Sequence, residues 1–390
     1  MAVLVTGATG FLGKELVRSL LAHDSATIVV PLIRAGSAGE LAHRAARLTA
    51  ALPEAEHRRV RPILGDITRP RLGLTPARYA KIGEDVDRVI HVAATTRFDL
   101  PLAEARRVNV AGTAEALAIC CALRRHGQSG RLDYVSTAYV AGDRDGVAYE
   151  DELDRGQRFR NTYERTKFEA ERLCREVQGD LPVAIYRPSI IVGDSGTGGT
   201  ESYKAFYWPL ARLIRFYDLW RPVLTRLAPL PLNPECHIDL VPVDYVARAI
   251  TMLFHDADAV GHCYHLAAGP EAAMVRDLVT LTCAHFAVRE PRYLSAAFLN
   301  RLQRLTPRAK KSPFRIVRGA ATYYPYVRGN PRFDTTNAAR LALRPPPVDS
   351  YFARLLRHAY AADFGRRQTV ANEGPGATAT ARAPVSSCAV

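Results

Sequence analysis

Three glycines, spaced as Gly7-Ala8-Thr9-Gly10-Phe11-Leu12-Gly13 directly after the apolar run Ala2 to Thr6, restrict what this chain can build more than any other feature. An apolar strand that turns at once into a helix leaves the first helical N–H groups unpaired and aimed above the turn, where they favour an anion. The missing side chains have separate uses: a sharp turn, close approach of a phosphate to the backbone, and tight packing of helix on strand. Gly7, Thr9, Gly10, Phe11, Leu12 and Gly13 therefore form a candidate phosphate-binding turn.

The pattern that follows agrees with this start. Short β-branched runs at Ala2 to Thr6, Ala26 to Ile33, Arg61 to Leu64, Val86 to Val92, Leu132 to Ser136 and Val183 to Arg187 alternate with helical spacing at Leu12 to Leu21, Leu41 to Leu52, Leu102 to Arg125 and Tyr163 to Val177. Such alternation predicts an α/β protein with a Rossmann-type doubly wound parallel sheet and a smaller, mostly helical C-terminal substrate cap. The expected division is a dinucleotide-binding domain over 1–194, completed by 235–268 with strand-like Ile238 to Val241 and Cys263 to Leu266 around a helix at Val243 to Phe254. Segments 195–234 and 269–367 are expected to form the lid and cap. Residues 368–390, rich in Ala, Thr, Pro, Gly and Ser, cannot bury a core and read as a disordered tail.

With 390 residues, 48% apolar and 24% charged, the chain has ample material for such a core. Charged residues break every apolar run before the roughly 18 to 20 residues a membrane span needs. The N-terminus lacks a basic signal-peptide region and reads as a buried strand, so the expected location is cytoplasmic. The seven cysteines show no CxxC pair and no accompanying His spacing, so we expect reduced, mostly buried thiols and no metal. The net charge of +14 comes from 53 basic residues, only six of them Lys, and no nucleic-acid motif accompanies it. A nucleic acid is not the expected partner. A polyanionic cofactor, a phosphate-bearing acyl carrier or an anionic membrane surface would each suit this charge.

Two further positions refine the ligand. An NAD site usually carries an acidic residue about 20 positions beyond the glycines, to accept from the ribose 2′-hydroxyl. Here the second strand ends Pro31-Leu32-Ile33-Arg34, with no carboxylate, and a guanidinium at Arg34 can pair with a 2′-phosphate. NADP(H) is therefore expected over NAD(H). Asp66 and Ile67, after the third strand, stand where an adenine amino group needs an acceptor and a wall.

Tyr163 and Lys167 lie four apart, on one face of a helix. Upstream, Val135-Ser136-Thr137-Ala138-Tyr139 offers a hydroxyl at the carboxyl end of the fifth strand, where ligands collect in such sheets. Hydride reduction of a carbonyl leaves an oxyanion that needs a proton and electrostatic support. In this reading Tyr163 donates the proton, Lys167 draws the phenol pKa toward working pH, and Thr137, with Ser136 as its rival, hydrogen-bonds the substrate oxygen.

Together, TGATGFLG at Thr6 to Gly13, GDI at Gly65 to Ile67, HVAA at His91 to Ala94, NVAGT at Asn109 to Thr113, VSTAYV at Val135 to Val140, YERTK at Tyr163 to Lys167 and YRPSIIVGD at Tyr186 to Asp194 resemble an extended short-chain dehydrogenase/reductase. The resemblance implies that Thr137, Tyr163 and Lys167 form the catalytic set. It also implies cofactor contacts from His91, Ala93, Ala94 and Asn109, from Tyr163 and Lys167 themselves, and from Pro188 and Ile190 behind the nicotinamide. The runs Gly146 to Glu171, Ile238 to Ala247 and Asn330 to Ala338 are similar to thioester reductases and fatty acyl-CoA reductases of the male-sterility type.

The implied reaction is NADPH-dependent reduction of an acyl thioester to an aldehyde, or onward to an alcohol, with the acyl group arriving in trans on coenzyme A or a carrier protein. A ketone or hydroxysteroid dehydrogenase and a sugar-nucleotide epimerase or dehydratase share the first set of motifs and remain the alternative. A cofactor-sensing protein without chemistry would have no need of a proton donor. The aromatic segment Tyr203 to Leu232, with Arg212, Arg215, Arg221 and Arg226, either walls an acyl channel, makes a peripheral membrane contact or packs between cap helices.

Overall fold

The computed structural model describes residues 1–203, 206–211, 214, 230, 232–294, 323–327, 329, 331–342 and 344–365. Most of the aromatic lid segment, its four arginines, residues 295–322 of the expected cap and the tail lie outside this set.

Seven parallel strands form the central sheet: β1 (Ala2–Thr6), β2 (Ile28–Ile33), β3 (Ile63–Leu64), β4 (Arg88–His91), β5 (Arg131–Val135), β6 (Val183–Pro188) and β7 (Cys263–Leu266). Their spatial order is β7-β6-β5-β4-β1-β2-β3. The inner strands are buried nearly throughout, as expected where helices cover both faces of a parallel sheet. The direction of winding reverses between β1 and β4, so their carboxyl ends open a crevice there. The glycine turn follows β1, His91 ends β4 and Thr137 follows β5, so these three candidates lie at that end of the sheet.

Helix α1 (Phe11–His23) buries Leu12, Leu16, Val17, Leu20 and Leu21, spaced by three and four residues. It packs with a later helix, Val243–His255, over one face of the sheet. On the other face, α2 (Leu102–Arg125) lies along α3 (Thr162–Glu176), and Arg106 clamps Glu169 through two 2.7 Å hydrogen bonds. A helix at Pro76–Asp85, which the sequence reading did not single out, starts at a Thr75 cap with Pro76 in its first turn and also packs against α2.

Outside the sheet, the expected strand Ile238 to Val241 divides. His237–Ile238 pairs antiparallel with Ala273–Met274, and Leu240–Pro242 pairs parallel with Ile190–Val192. The break falls at Asp239, whose buried carboxylate accepts from Ser189 and from the N–H groups of Ala268 and Gly269 at 2.5 to 2.9 Å. A separate apolar core gathers Val192, Tyr207, Ile238, Leu278, Tyr351, Phe352 and Leu355. Among the described residues no helix is long and apolar enough to cross a membrane.

Candidate active site

Gly7 adopts φ +73, a conformation in which a side chain is strained, and a Cβ there would lie 2.6 Å from the Ala93 nitrogen. Gly13 is constrained differently: a Cβ would meet the Gly7 oxygen at 2.1 Å, so α1 could not lie this close to the turn. Gly10 caps α1 without any side-chain hydrogen bond, which leaves the first-turn N–H groups facing the crevice. Thr9 and Phe11 are half-buried beside it and Leu12 is buried in the core.

The turn after β4 is pinned to this loop. The Ala93 N–H donates to Thr6 Oγ1 at 3.2 Å, and the same hydroxyl meets His91 Nδ1 at 2.7 Å. His91 is 1% exposed, and its other ring nitrogen meets Thr113 Oγ1 at 3.2 Å. Burial, with the charge of Lys167, depresses its pKa to about 3, so the ring is neutral. His91 thus acts on the crevice through the loop that it orients. Asn109 plays a similar part: its side chain exchanges hydrogen bonds with both main-chain groups of Thr95 and donates to Thr166 on α3. Ala93 and Ala94 lie half-buried between these two anchors.

At the far side of the crevice Arg34 is exposed at the end of β2. Burial raises the Asp66 carboxyl, but hydrogen bonds from Thr68 and the charges of Arg34 and Arg69 hold it below its usual range. Ile67 packs its side chain onto Gly112 of α2. Asp66 is therefore an ionised acceptor next to a fixed apolar wall.

Thr137 follows the carboxyl end of β5, and α3 brings Tyr163 and Lys167 to the same strand end. Asn161 caps α3 by accepting from the Glu164 N–H at 3.0 Å, which sets the first turn and places Tyr163 in it. Burial pushes the Tyr163 phenol up to about 12, offset in part by a hydrogen bond with Thr137. Thr137, 4% exposed, also donates to the Pro188 carbonyl at 3.4 Å. Its rival is otherwise engaged: Ser136 donates to Glu171 at 2.6 Å, within the core. Ile190 is half-buried just beyond Pro188.

Lys167 makes contacts that its helical spacing alone does not specify. Its ammonium donates to the Val135 carbonyl at 2.7 Å and lies 4.3 Å from the centre of the Tyr134 ring, and burial lowers its pKa to about 8. Burial is what sets the Tyr163 phenol high, and Thr137 is the group that lowers it in part. What Lys167 does here is tie α3 to the strand end that carries Thr137.

Several neighbours had no marked place in the sequence reading. Phe98 stacks on Tyr163 with centroids 5.9 Å apart and also touches Tyr323 and Tyr326. Tyr326 donates to Glu164 and accepts from Asn161 Nδ2 at 2.6 Å, so it fastens a late segment to the start of α3. No local spacing reveals this contact. Glu171 was detectable, because it continues the Tyr163 and Lys167 face by another four residues.

A family model described as "Male sterility protein" matches residues 5–250. The chain belongs to this family of NAD-binding domains. The male-sterility-type domain is an extended short-chain dehydrogenase/reductase, an NAD(P)-dependent oxidoreductase by superfamily. The chain is 30% identical over 286 residues to a component of the linear gramicidin synthase of Brevibacillus parabrevis, covering 71% of this chain and 5% of that protein. It is 30% identical over 277 residues to the L-2-aminoadipate reductase large subunit of Penicillium chrysogenum, covering 65% and 18%. The chain thus spans a small fraction of these curated relatives. Among solved structures, the terminal R domain from the myxalamid PKS-NRPS biosynthetic pathway superposes with a TM-score of 0.77 at 26% identity, covering 93% of this chain and 91% of that one. UDP-glucuronic acid 4-epimerase from Bacillus cereus, in complex with NAD, gives 0.61 at 18% identity over 93% and 99%, a likeness of fold.

The residues present suit a nicotinamide dinucleotide. The cradle at Gly7 would be filled by any Cβ, and the uncapped start of α1 supplies N–H donors for a pyrophosphate.

Proposed function

We propose that this chain is an NADPH-dependent reductase of acyl thioesters, delivered on a carrier protein or coenzyme A and released as aldehydes. The observation that carries the reading is the placement of buried Thr137 just past the end of β5, with Tyr163 in the first turn of α3 and the Lys167 ammonium bonded to Val135 at that same strand end. The likeness to the myxalamid R domain and to the aminoadipate reductase supports a thioester over a ketone or a sugar nucleotide.

In this proposal the glycine turn holds the pyrophosphate, Arg34 pairs with the 2′-phosphate, Asp66 and Ile67 receive the adenine, and Pro188 with Ile190 backs the nicotinamide. When bound there, the nicotinamide would supply the hydride for the thioester carbonyl. Thr137 and Tyr163 donate hydrogen bonds to the carbonyl oxygen and stabilise it as charge develops. With its pKa near 12, Tyr163 is fully protonated at neutral pH and gives its proton to that oxygen. The Lys167 ammonium contributes positive potential and keeps the strand end in place. The tetrahedral product expels its thiol, which leaves with a proton, and the aldehyde remains. A second equivalent of reductant would take the aldehyde to an alcohol.

The test is NADPH oxidation against a panel of carrier-linked thioesters, acyl-CoAs, ketones and nucleotide sugars, with product analysis for aldehyde. Tyr163→Phe should lower kcat by about 10²- to 10⁴-fold while still binding NADPH. Turnover with ketones or nucleotide sugars and none with thioesters would overturn the reading.

A further inference from the structure

Glu171 is a charged group that the chemistry above does not use, yet it is 0% exposed. Isolated carboxylates are not buried in this way without compensation. Here the compensation is complete. Arg187 on β6 reaches both carboxylate oxygens, at 2.7 and 3.0 Å, Arg175 donates at 3.0 Å from the next turn of α3, and the Ser136 hydroxyl donates at 2.6 Å. Arg187 itself is held by the carbonyls of Tyr149 and Glu152 and by His265 on β7.

Two of these facts concern the reacting groups. Ser136 immediately precedes Thr137, so a bond from Ser136 to α3 fixes the peptide that carries Thr137. Tyr163, Lys167 and Glu171 recur every four residues, so phenol, ammonium and carboxylate share one face of the same helix. The strand end is therefore stapled to that face twice, by Lys167 at Val135 and by Glu171 at Ser136.

We propose that Glu171 is a positioning residue for the reduction: through Ser136 it sets Thr137 opposite Tyr163, and its negative charge faces the Lys167 ammonium one helical turn away. The proposal rests on the assignment of Thr137, Tyr163 and Lys167 as the reacting set. The other groups around Lys167 are Cys174 on its own helix, neutral His91 on β4, and the Tyr134 ring on β5. Around Glu171 stand Arg175 and Cys174 on α3, Arg187 on β6, and Cys263 and His265 on β7. Glu150 also faces the cluster, through Arg187, Cys263 and the His265 N–H, and Glu171 is the carboxylate that acts on Lys167 and favours its protonated form.

The experiment compares Ser136→Ala, Glu171→Gln and Glu171→Asp with the wild type, reading kcat and KM separately, the pH profile of kcat/KM, NADPH affinity by fluorescence and thermal stability. Ser136→Ala leaves the Arg187 ion pair intact, so it should stay folded even where Glu171→Gln does not. The expected result for Ser136→Ala is a loss of about 10- to 100-fold in kcat with KM and NADPH affinity little changed. For Glu171→Gln the alkaline limb of kcat/KM should move toward lower pH by about half a unit or more, and Glu171→Asp should restore it in part. Full kcat in Ser136→Ala together with an unmoved alkaline limb in the Glu171 variants would overturn the proposal and leave Glu171 as a support of the fold alone. Should the wild type reduce ketones and not thioesters, the thioester reading falls, and these same parameters, read with the ketone, still decide the role of Glu171.

Discussion

The Lys167 ammonium donates a 2.7 Å hydrogen bond to the main-chain oxygen of Val135, two residues before Thr137. The bond crosses from helix to strand inside the core, so this cation on the Tyr163 face also ties the strand end that leads to Thr137 to the helix that carries Tyr163. Burial lowers the pKa of this ammonium to about 8, and with it the pH at which the tie loses its charge.

Activity should accordingly fall on the alkaline side. The lysine sheds its proton as pH rises through about 8, so kcat/KM should decline above that value. Lys167→Met should lose about 10²-fold or more and should no longer show that limb. A pH profile of both proteins checks this, and an alkaline limb that persists in Lys167→Met would assign it to another group.

Gly7→Ala should cost about 1 to 2 kcal/mol or more through the left-handed backbone alone, before the collision with Ala93 is counted. Because the displaced backbone is the proposed phosphate cradle, NADPH affinity should drop further than stability does. Calorimetric melting and a fluorescence titration of the same variant separate the two effects.

Arg34→Ala should raise KM for NADPH by about tenfold or more and leave KM for NADH nearly unchanged, since the guanidinium is proposed to meet the 2′-phosphate alone. Paired kinetics with the two cofactors check it. Equal loss with both would place Arg34 outside the cofactor site.

Acid should unfold the protein in a characteristic way. His91 and His265 are buried neutral at about 3, against 6.5 when unfolded, so each takes stability away as pH falls below 6.5. Glu150, raised by burial to about 7 from 4.5, favours its protonated form in the fold and acts in the opposite sense between those values. Glu171, held at about 2 against 4.5 by Arg187, Arg175 and Ser136 despite its burial, adds its own loss below 4.5. The melting temperature should therefore decline modestly from about pH 6.5 and steeply below 4.5, and His265→Gln should flatten the modest part. A pH series of thermal melts measures both slopes.

The ladder of strands, the glycine turn and the spacing of Tyr163 and Lys167 were written in the order of residues, because turn geometry, alternation and helical period are local properties. So were the main helices, to within a few residues at their ends. Which hydroxyl turns toward Tyr163 was not: Ser136 and Thr137 are chemically alike neighbours, and only the packing of Glu171 and Arg187 beneath the strand end commits Ser136 to the core. Nor could the sequence show that Lys167 points at Val135, since four-residue spacing fixes a helix face and leaves the partner across the gap undetermined.

Two of the runs similar to acyl reductases, Gly146 to Glu171 and Asn330 to Ala338, are separated by more than a hundred residues of chain and touch in the fold. Val147–Ala148 pairs with Arg332–Phe333, and the Glu150 carboxylate receives the N–H groups of His265 and Asn337. Local pattern determined that this chain builds a dinucleotide crevice with a phenol and an ammonium on one helix. Long-range burial decided which partner each polar group takes, because a polar group removed from water must find its hydrogen bond wherever the folded chain places one.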